Sequence, residues 1–202
     1  MQTRRHLLLR SAPLLALGLL AMPRASHAQS TSEATAFVVK LGNDLLAVVN
    51  GPGSAAEKKQ RLAPLIEAAV DIDGIARFSL GRFWRTATPE QQTAYTRLFH
   101  EVLLNNIGSK IGEFQGVSFT PTTTTAKDGD ILVGSVITRP NQQPNNVQWV
   151  ISQVAGKPRV VDVIAEGTSL RLTQRQDYAA YLTRNNNSVD ALIAAMKQQL
   201  AS

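Results

Sequence analysis

Three pairs of carboxylates are the residues best placed by type and spacing to do chemistry in this chain: Asp71 with Asp73, Asp128 with Asp130, and Asp162 with Glu166. Paired carboxylates serve as general acid and base when their surroundings drive their pKa values apart. Asp71 and Asp73 fall where a helix should begin, and there an acidic side chain caps unpaired backbone amides. Asp128 and Asp130 flank Gly129, which fits a hairpin turn. Asp162 and Glu166 differ, because they share a face of an otherwise apolar strand, where they could act as acid and base inside a cone-shaped cavity. His100 is the only histidine after residue 28 and follows Phe99 on a helical stripe, so it reads as a solvated or core-flanking residue. With no cysteine in the chain, the usual zinc ligand sets cannot be assembled, and no metal site is expected. No glycine-rich phosphate loop is present, so nucleotide hydrolysis would fall to a partner. No catalytic residue is assigned and no cofactor is expected.

The elements that must position such groups follow from composition and pattern. With 202 residues, 44% apolar and 18% charged, the chain suits one ordinary globular domain. Its net charge of +6 is uneven: four of the 21 basic residues and none of the 15 acidic ones fall within residues 1–28. The remaining 17 against 15 is too balanced for a strong footprint on nucleic acid. The leading segment reads as an export signal. Arg4, Arg5, His6 and Arg10 precede the apolar run Leu14 to Met22, Pro23 breaks it, and Ser26-His27-Ala28 offers small residues for cleavage after Ala28. Arg4-Arg5 also fits a twin-arginine signal. The apolar run is about half of the roughly 20 residues a membrane span needs. Residues 29–202 should therefore form one domain, free in a periplasm, closed by core packing without disulfides.

After the leader the apolar period is helical. Phe37, Leu41, Leu45 and Val48 share a face from about Glu33 to Asn50-Gly51-Pro52-Gly53. Ser54 with Glu57 is a capping box for a second helix, and Asp71 and Asp73 open a short third one through Leu80, ended by Gly81. Thr88-Pro89-Glu90-Gln91 must start a long helix striped by Tyr95, Leu98, Phe99, Val102, Leu103 and Ile107, with Ile111 and Phe114 extending the stripe toward Gly116. Beyond Gly116 the period becomes two. Strands are predicted over Val117 to Thr125, Ile131 to Thr138, Val147 to Val154 and Arg159 to Glu166, joined by short turns into an antiparallel meander. Thr173 with Gln176 predicts a helix to about Arg184, and Ser188 a last one. Both strand faces carry apolar residues: Ile131, Val133 and Ile137 oppose Leu132 and Val136, and Val161 and Val163 oppose Val160 and Ile164. Each face must then meet helix or an apolar cavity.

Val70-Asp71-Ile72-Asp73-Gly74-Ile75-Ala76-Arg77-Phe78-Ser79-Leu80-Gly81-Arg82-Phe83-Trp84, running on through Thr88-Pro89-Glu90-Gln91, together with Val161-Asp162-Val163-Ile164-Ala165-Glu166-Gly167-Thr168-Ser169-Leu170, resembles the MlaC or toluene-tolerance family. Gly74 and Ser79 stand where that family usually has larger residues, and Thr168 where it has valine. The resemblance implies a periplasmic phospholipid-binding shuttle. It would work between the outer and inner membranes for an ABC-type lipid transport system, with an inner-membrane transporter complex and an outer-membrane lipoprotein complex as transient partners. An HpnM-like branch of the same family would carry hopanoid lipids instead. Two readings outside the family's role stay open: a small-molecule isomerase or hydratase, and a solid adaptor protein.

The expected fold is α+β, a four-stranded antiparallel sheet wrapped by about six helices, nuclear-transport-factor-like, monomeric, with an apolar cavity between sheet and helices. Phe78, Phe83, Val102, Leu103, Ile107, Val133, Ile137, Val147, Trp149, Ile151, Val163, Leu170 and Tyr178 are the expected lipid-lining residues. Arg82 and Arg85 are expected to meet a lipid head group or a partner, since guanidinium pairs well with phosphate.

Overall fold

The computed structural model describes residues 30–201. The leader and its cleavage point after Ala28 lie outside the described residues.

Six helices and one sheet make up the described chain: α1 (Thr31–Asn50), α2 (Ala55–Ala69), α3 (Ile72–Leu80), α4 (Pro89–Ser109), β1 (Ser118–Lys127), β2 (Asp130–Thr138), β3 (Asn145–Val154), β4 (Lys157–Ala165), β5 (Thr168–Ser169), α5 (Leu170–Arg184) and α6 (Val189–Ala201). Local signals set most helix starts. Ser54 Oγ accepts the amide of Glu57 at 3.3 Å, and the Glu57 carboxylate accepts the Ser54 amide at 2.7 Å. Thr88 and Gln91 make the same reciprocal pair ahead of Pro89. Asp71 caps α3 through the amide of Gly74. Ser30 and Glu33 form a further capping box, which starts α1 slightly earlier than its apolar stripe implies. These boxes hold Glu57 and the neighbouring Glu90 below the ordinary carboxylate range, through hydrogen bonds from Ser54 to Glu57, and from the backbone and Thr88 to Glu90.

The strands run antiparallel in the order β1-β2-β3-β4-β5. Asp128 and Gly129 both adopt positive φ between β1 and β2, as a two-residue hairpin turn of the right twist demands.

Three expectations need correction. The sheet has five strands, because Glu166 and Gly167 turn the chain back and Thr168–Ser169 pairs with Ile164 and Ala165 before any helix begins. Helix α5 is capped by Ser169, not by a Thr173–Gln176 box: Ser169 Oγ accepts the Leu172 amide, and the Thr173 hydroxyl is spent on the Ser169 carbonyl. The long helix α4 stops at Ser109, and Ile111–Phe114 forms a separate 3-10 turn.

The apolar interior falls into two bodies. One is a sheet body, in which Ile131, Val133, Ile151 and Val160 pack under Ala34, Val38 and Leu41 of α1 and Ala69 of α2. The other is a helix body built from α2, α3, α4, α5 and α6 around Leu80, Phe83, Tyr95, Leu98, Phe99, Leu182 and Met196. Leu45 and Val70 touch both bodies. Val70 is the joint: it bridges Val160, and the following amide of Asp71 donates to the Val160 carbonyl at 3.0 Å. The opposite sheet face is only partly dry, with Val150 buried and Leu132, Val136 and Ile164 half-buried.

Candidate functional site

The sheet body collects four of the expected lipid-lining residues. Val133 and Ile151 are fully buried in it, and Trp149 and Val163 are half-buried at its edge. Register explains the grouping, since Trp149 lies between Val133 on β2 and Val163 on β4. The indole is fixed twice: its Nε1–H donates to Ser135 Oγ at 3.0 Å, and its ring meets Phe119 edge-on at 6.4 Å between centroids. Ser135 in turn donates to the Val147 carbonyl. Ile137 and Val147 are half-buried toward the other end of these strands.

The helix body collects five more. Phe83 and Val102 are buried in it, while Leu103, Ile107 and Tyr178 are half-buried against it. Tyr178 stands in an aromatic triangle with Tyr95 and Phe99, centroids 6.0 to 6.3 Å apart. Burial and the neighbouring Asp177 charge push the Tyr178 phenol up to about 12. Tyr95 is pushed up too, by burial first and Tyr178 second, and its hydroxyl donates to the Ala76 carbonyl.

Phe78 and Leu170 lie apart from both groups. Phe78 is half-buried beneath Arg171 and Arg175, whose guanidinium carbons stand 4.7 and 5.0 Å from its ring centre. Leu170 is 52% exposed at the start of α5. Arg82 and Arg85 are exposed, Arg82 resting 4.9 Å over the Phe83 ring.

Two of the three carboxylate pairs, Asp71 with Asp73 and Asp162 with Glu166, are occupied with structure. Buried Asp162 accepts from Ser169 Oγ, from the amides of Val163 and Arg171, and lies 3.4 Å from Arg171 Nε. Exposed Glu166 accepts the Asn146 amide across the sheet. Asp73 pairs with His100 at 2.8 Å, tying α3 to α4. Among the described residues no group of His, Asp and Glu could hold a metal ion.

Two grooves open on the helical side, and no strand residue lines either. The larger, about 850 Å³, runs past Asp73, Trp84, Arg97, His100 and Leu104. The smaller, about 480 Å³, is lined by Arg77, Phe78, Arg82, Trp84, Arg85 and Arg175 together with Gly74 and Gly81.

The MlaC protein family model matches residues 40–198. The chain belongs to the MlaC family. The match takes in the Val70 joint and both apolar bodies except the first turns of α1 with Ala34 and Val38. Within the MlaC relatives, the chain is 27% identical over 139 residues to the toluene tolerance protein Ttg2D of Pseudomonas putida, an alignment covering 68% of this chain and 65% of that one. Its MlaC fold superposes with a TM-score of 0.73 on a phospholipid-binding protein of Ralstonia solanacearum, solved in complex with a phospholipid. That match has 22% identity and covers 84% of this chain and 99% of the other. No helix among the described residues is long and apolar enough to cross a membrane.

The sequence placed Leu45 on the apolar face of α1 without showing that it joins the two bodies, and it gave no role to Phe119 and Val70 on the apolar side or to Arg77 and Arg175 in the smaller groove. Phe119 had a signal, since it faces Ile137 in the β1–β2 register. Arg175 had none before the fold was known, because it joins Arg82 in lining this groove only through the packing of α5 on α3.

Proposed function

We propose that this protein is a phospholipid carrier, exported to the periplasm and shuttling lipid between outer and inner membranes for an ABC-type transport system. The observation that carries the reading is the divided interior. Two apolar bodies meet through Leu45 and Val70, and large side chains on the margin of each are only half-buried: Leu103, Ile107 and Tyr178 on the helices, Phe119, Trp149 and Val163 on the sheet. These half-buried side chains leave apolar surface that an acyl chain would cover. The acyl chains would lie along the seam between the bodies, gripped by these margins. The shared fold with a protein solved around a phospholipid supports the same reading.

The energetics suit a carrier rather than an enzyme. A two-chain phospholipid has roughly 30 methylenes at about 0.8 kcal/mol each, so escape into water costs on the order of 24 kcal/mol. A protein seam about as apolar as a bilayer removes that barrier and leaves transfer nearly balanced, with no catalytic group required. Membership of the MlaC family supports the transporter and outer-membrane complexes as partners.

The test is mass spectrometry of organic extracts from protein purified without detergent. Phospholipid near one molecule per chain is expected. Hopanoid in its place would assign the protein to the hopanoid-associated branch, and lipid-free protein would refute carriage.

A further inference from the structure

We propose that the arginine-lined groove formed by α3, the 3-10 turn over Gly81–Arg85 and the start of α5 docks the protein on the anionic lipid surface of a membrane. Arg77, Arg82, Arg85 and Arg175 line this groove, and no carboxylate lines it. Among the described residues none of the four is hydrogen-bonded or ion-paired to another side chain. Three are instead held by aromatic rings: Arg77 stands 5.7 Å from the centre of Trp84, Arg82 4.9 Å from Phe83, and Arg175 5.0 Å from Phe78. A ring face steadies a guanidinium without neutralising it, so the positive charge remains available to a partner. Beyond residue 28 the sequence is almost balanced in charge, which makes this concentration of unpaired arginines local.

The second observation is apolar. Leu170 and Leu172 are the exposed large hydrophobic residues among those described, at 52% and 45%. They flank Arg171, which stacks on the same Phe78 ring as Arg175. Guanidinium forks suit phosphate oxygens, leucines suit the boundary with the acyl chains, and the two together make an interfacial binding surface. An acidic protein face would satisfy the arginines alone. The inference requires nothing of the interior and stands whether or not the seam holds lipid.

The test is vesicle flotation of the chain without residues 1–28, whose removal leaves every described element intact. Binding is expected to phosphatidylglycerol-containing vesicles and not to pure phosphatidylcholine, and it should be lost near 0.5 M salt, where screening shortens to a few ångströms. The variant R82E/R175E should lower the bound fraction at least about tenfold, R82K/R175K should keep most of it, and L170S/L172S should lower it severalfold. Circular dichroism of each variant confirms the fold, and its copurified lipid separates docking from carriage. Absence of flotation on phosphatidylglycerol, equal flotation on phosphatidylcholine, or unchanged flotation of R82E/R175E would overturn the proposal. Capture by immobilised polyglutamate without vesicle binding would also overturn it, in favour of an acidic protein partner.

Discussion

The Ser169 hydroxyl donates to Asp162 Oδ2 at 2.5 Å while its oxygen accepts the amide of Leu172 at 3.1 Å, so one side chain joins β4 to the first turn of α5. Asp162 is 5% exposed, and its other oxygen accepts the Val163 amide at 2.8 Å and the Arg171 amide at 3.1 Å. Four donors therefore converge on one buried carboxylate, counting Arg171 Nε. This accounts for an acidic residue on an apolar strand without assigning it a reaction.

Asp162→Ala leaves those donors without their acceptor, and should lower stability to urea by about 2 to 4 kcal/mol. Asp162→Asn retains one carbonyl acceptor and should cost less. Urea melts of the two variants check the order, and lipid content per folded molecule should stay at the wild-type level in both.

Burial of the Tyr95 and Tyr178 phenols should make the fold sensitive to alkaline pH. In the unfolded chain a phenol ionises near its ordinary value of 10, whereas folded Tyr178 keeps its proton to about 12 because it is buried. Between those values the unfolded state binds fewer protons than the folded one, so stability is fully present below 10 and falls as pH rises through 12. Tyr178→Phe should flatten that fall, as read from urea midpoints against pH. Tyr95→Phe should also cost about 1 kcal/mol at neutral pH, through loss of the bond to Ala76.

Gly134 occupies a tight place on β2. A Cβ there would come within 2.5 Å of Thr122 Oγ1 and 2.9 Å of the Thr123 carbonyl, because β1 bulges between Pro121 and Thr124. Gly134→Val should destabilise by about 1 to 3 kcal/mol, since backbone cannot step aside cheaply. Gly112→Ala, where nothing lies within 4 Å, should leave the thermal midpoint nearly unchanged.

What the sequence made legible was local. The Ser54–Glu57 and Thr88–Gln91 caps satisfy amides three residues away, so their letters suffice. Thr173 and Gln176 carry the same letters, yet Asp162 and the Glu166–Gly167 turn hand the cap to Ser169 through a contact that no short window contains. Period two placed Val133, Trp149, Ile151 and Val163 in one body because strand register follows from it. It set Val160 against Val163, however, and the extra residue Val161 in the β3–β4 register turns Val160 into the same body. It could not show that Leu170 faces outward, nor that α5 would bring Arg175 beside Arg82, since both follow from how a helix packs.

Trp149 tests the seam most directly. Trp84 is the only other tryptophan, so Trp84→Phe leaves a single indole at the margin of the sheet body. Loading this variant with phospholipid brominated along its acyl chains should quench Trp149 fluorescence strongly, because bromine quenches at contact. Trp149 emission unchanged in protein shown by mass spectrometry to hold the brominated lipid would place the chains elsewhere and contradict the account.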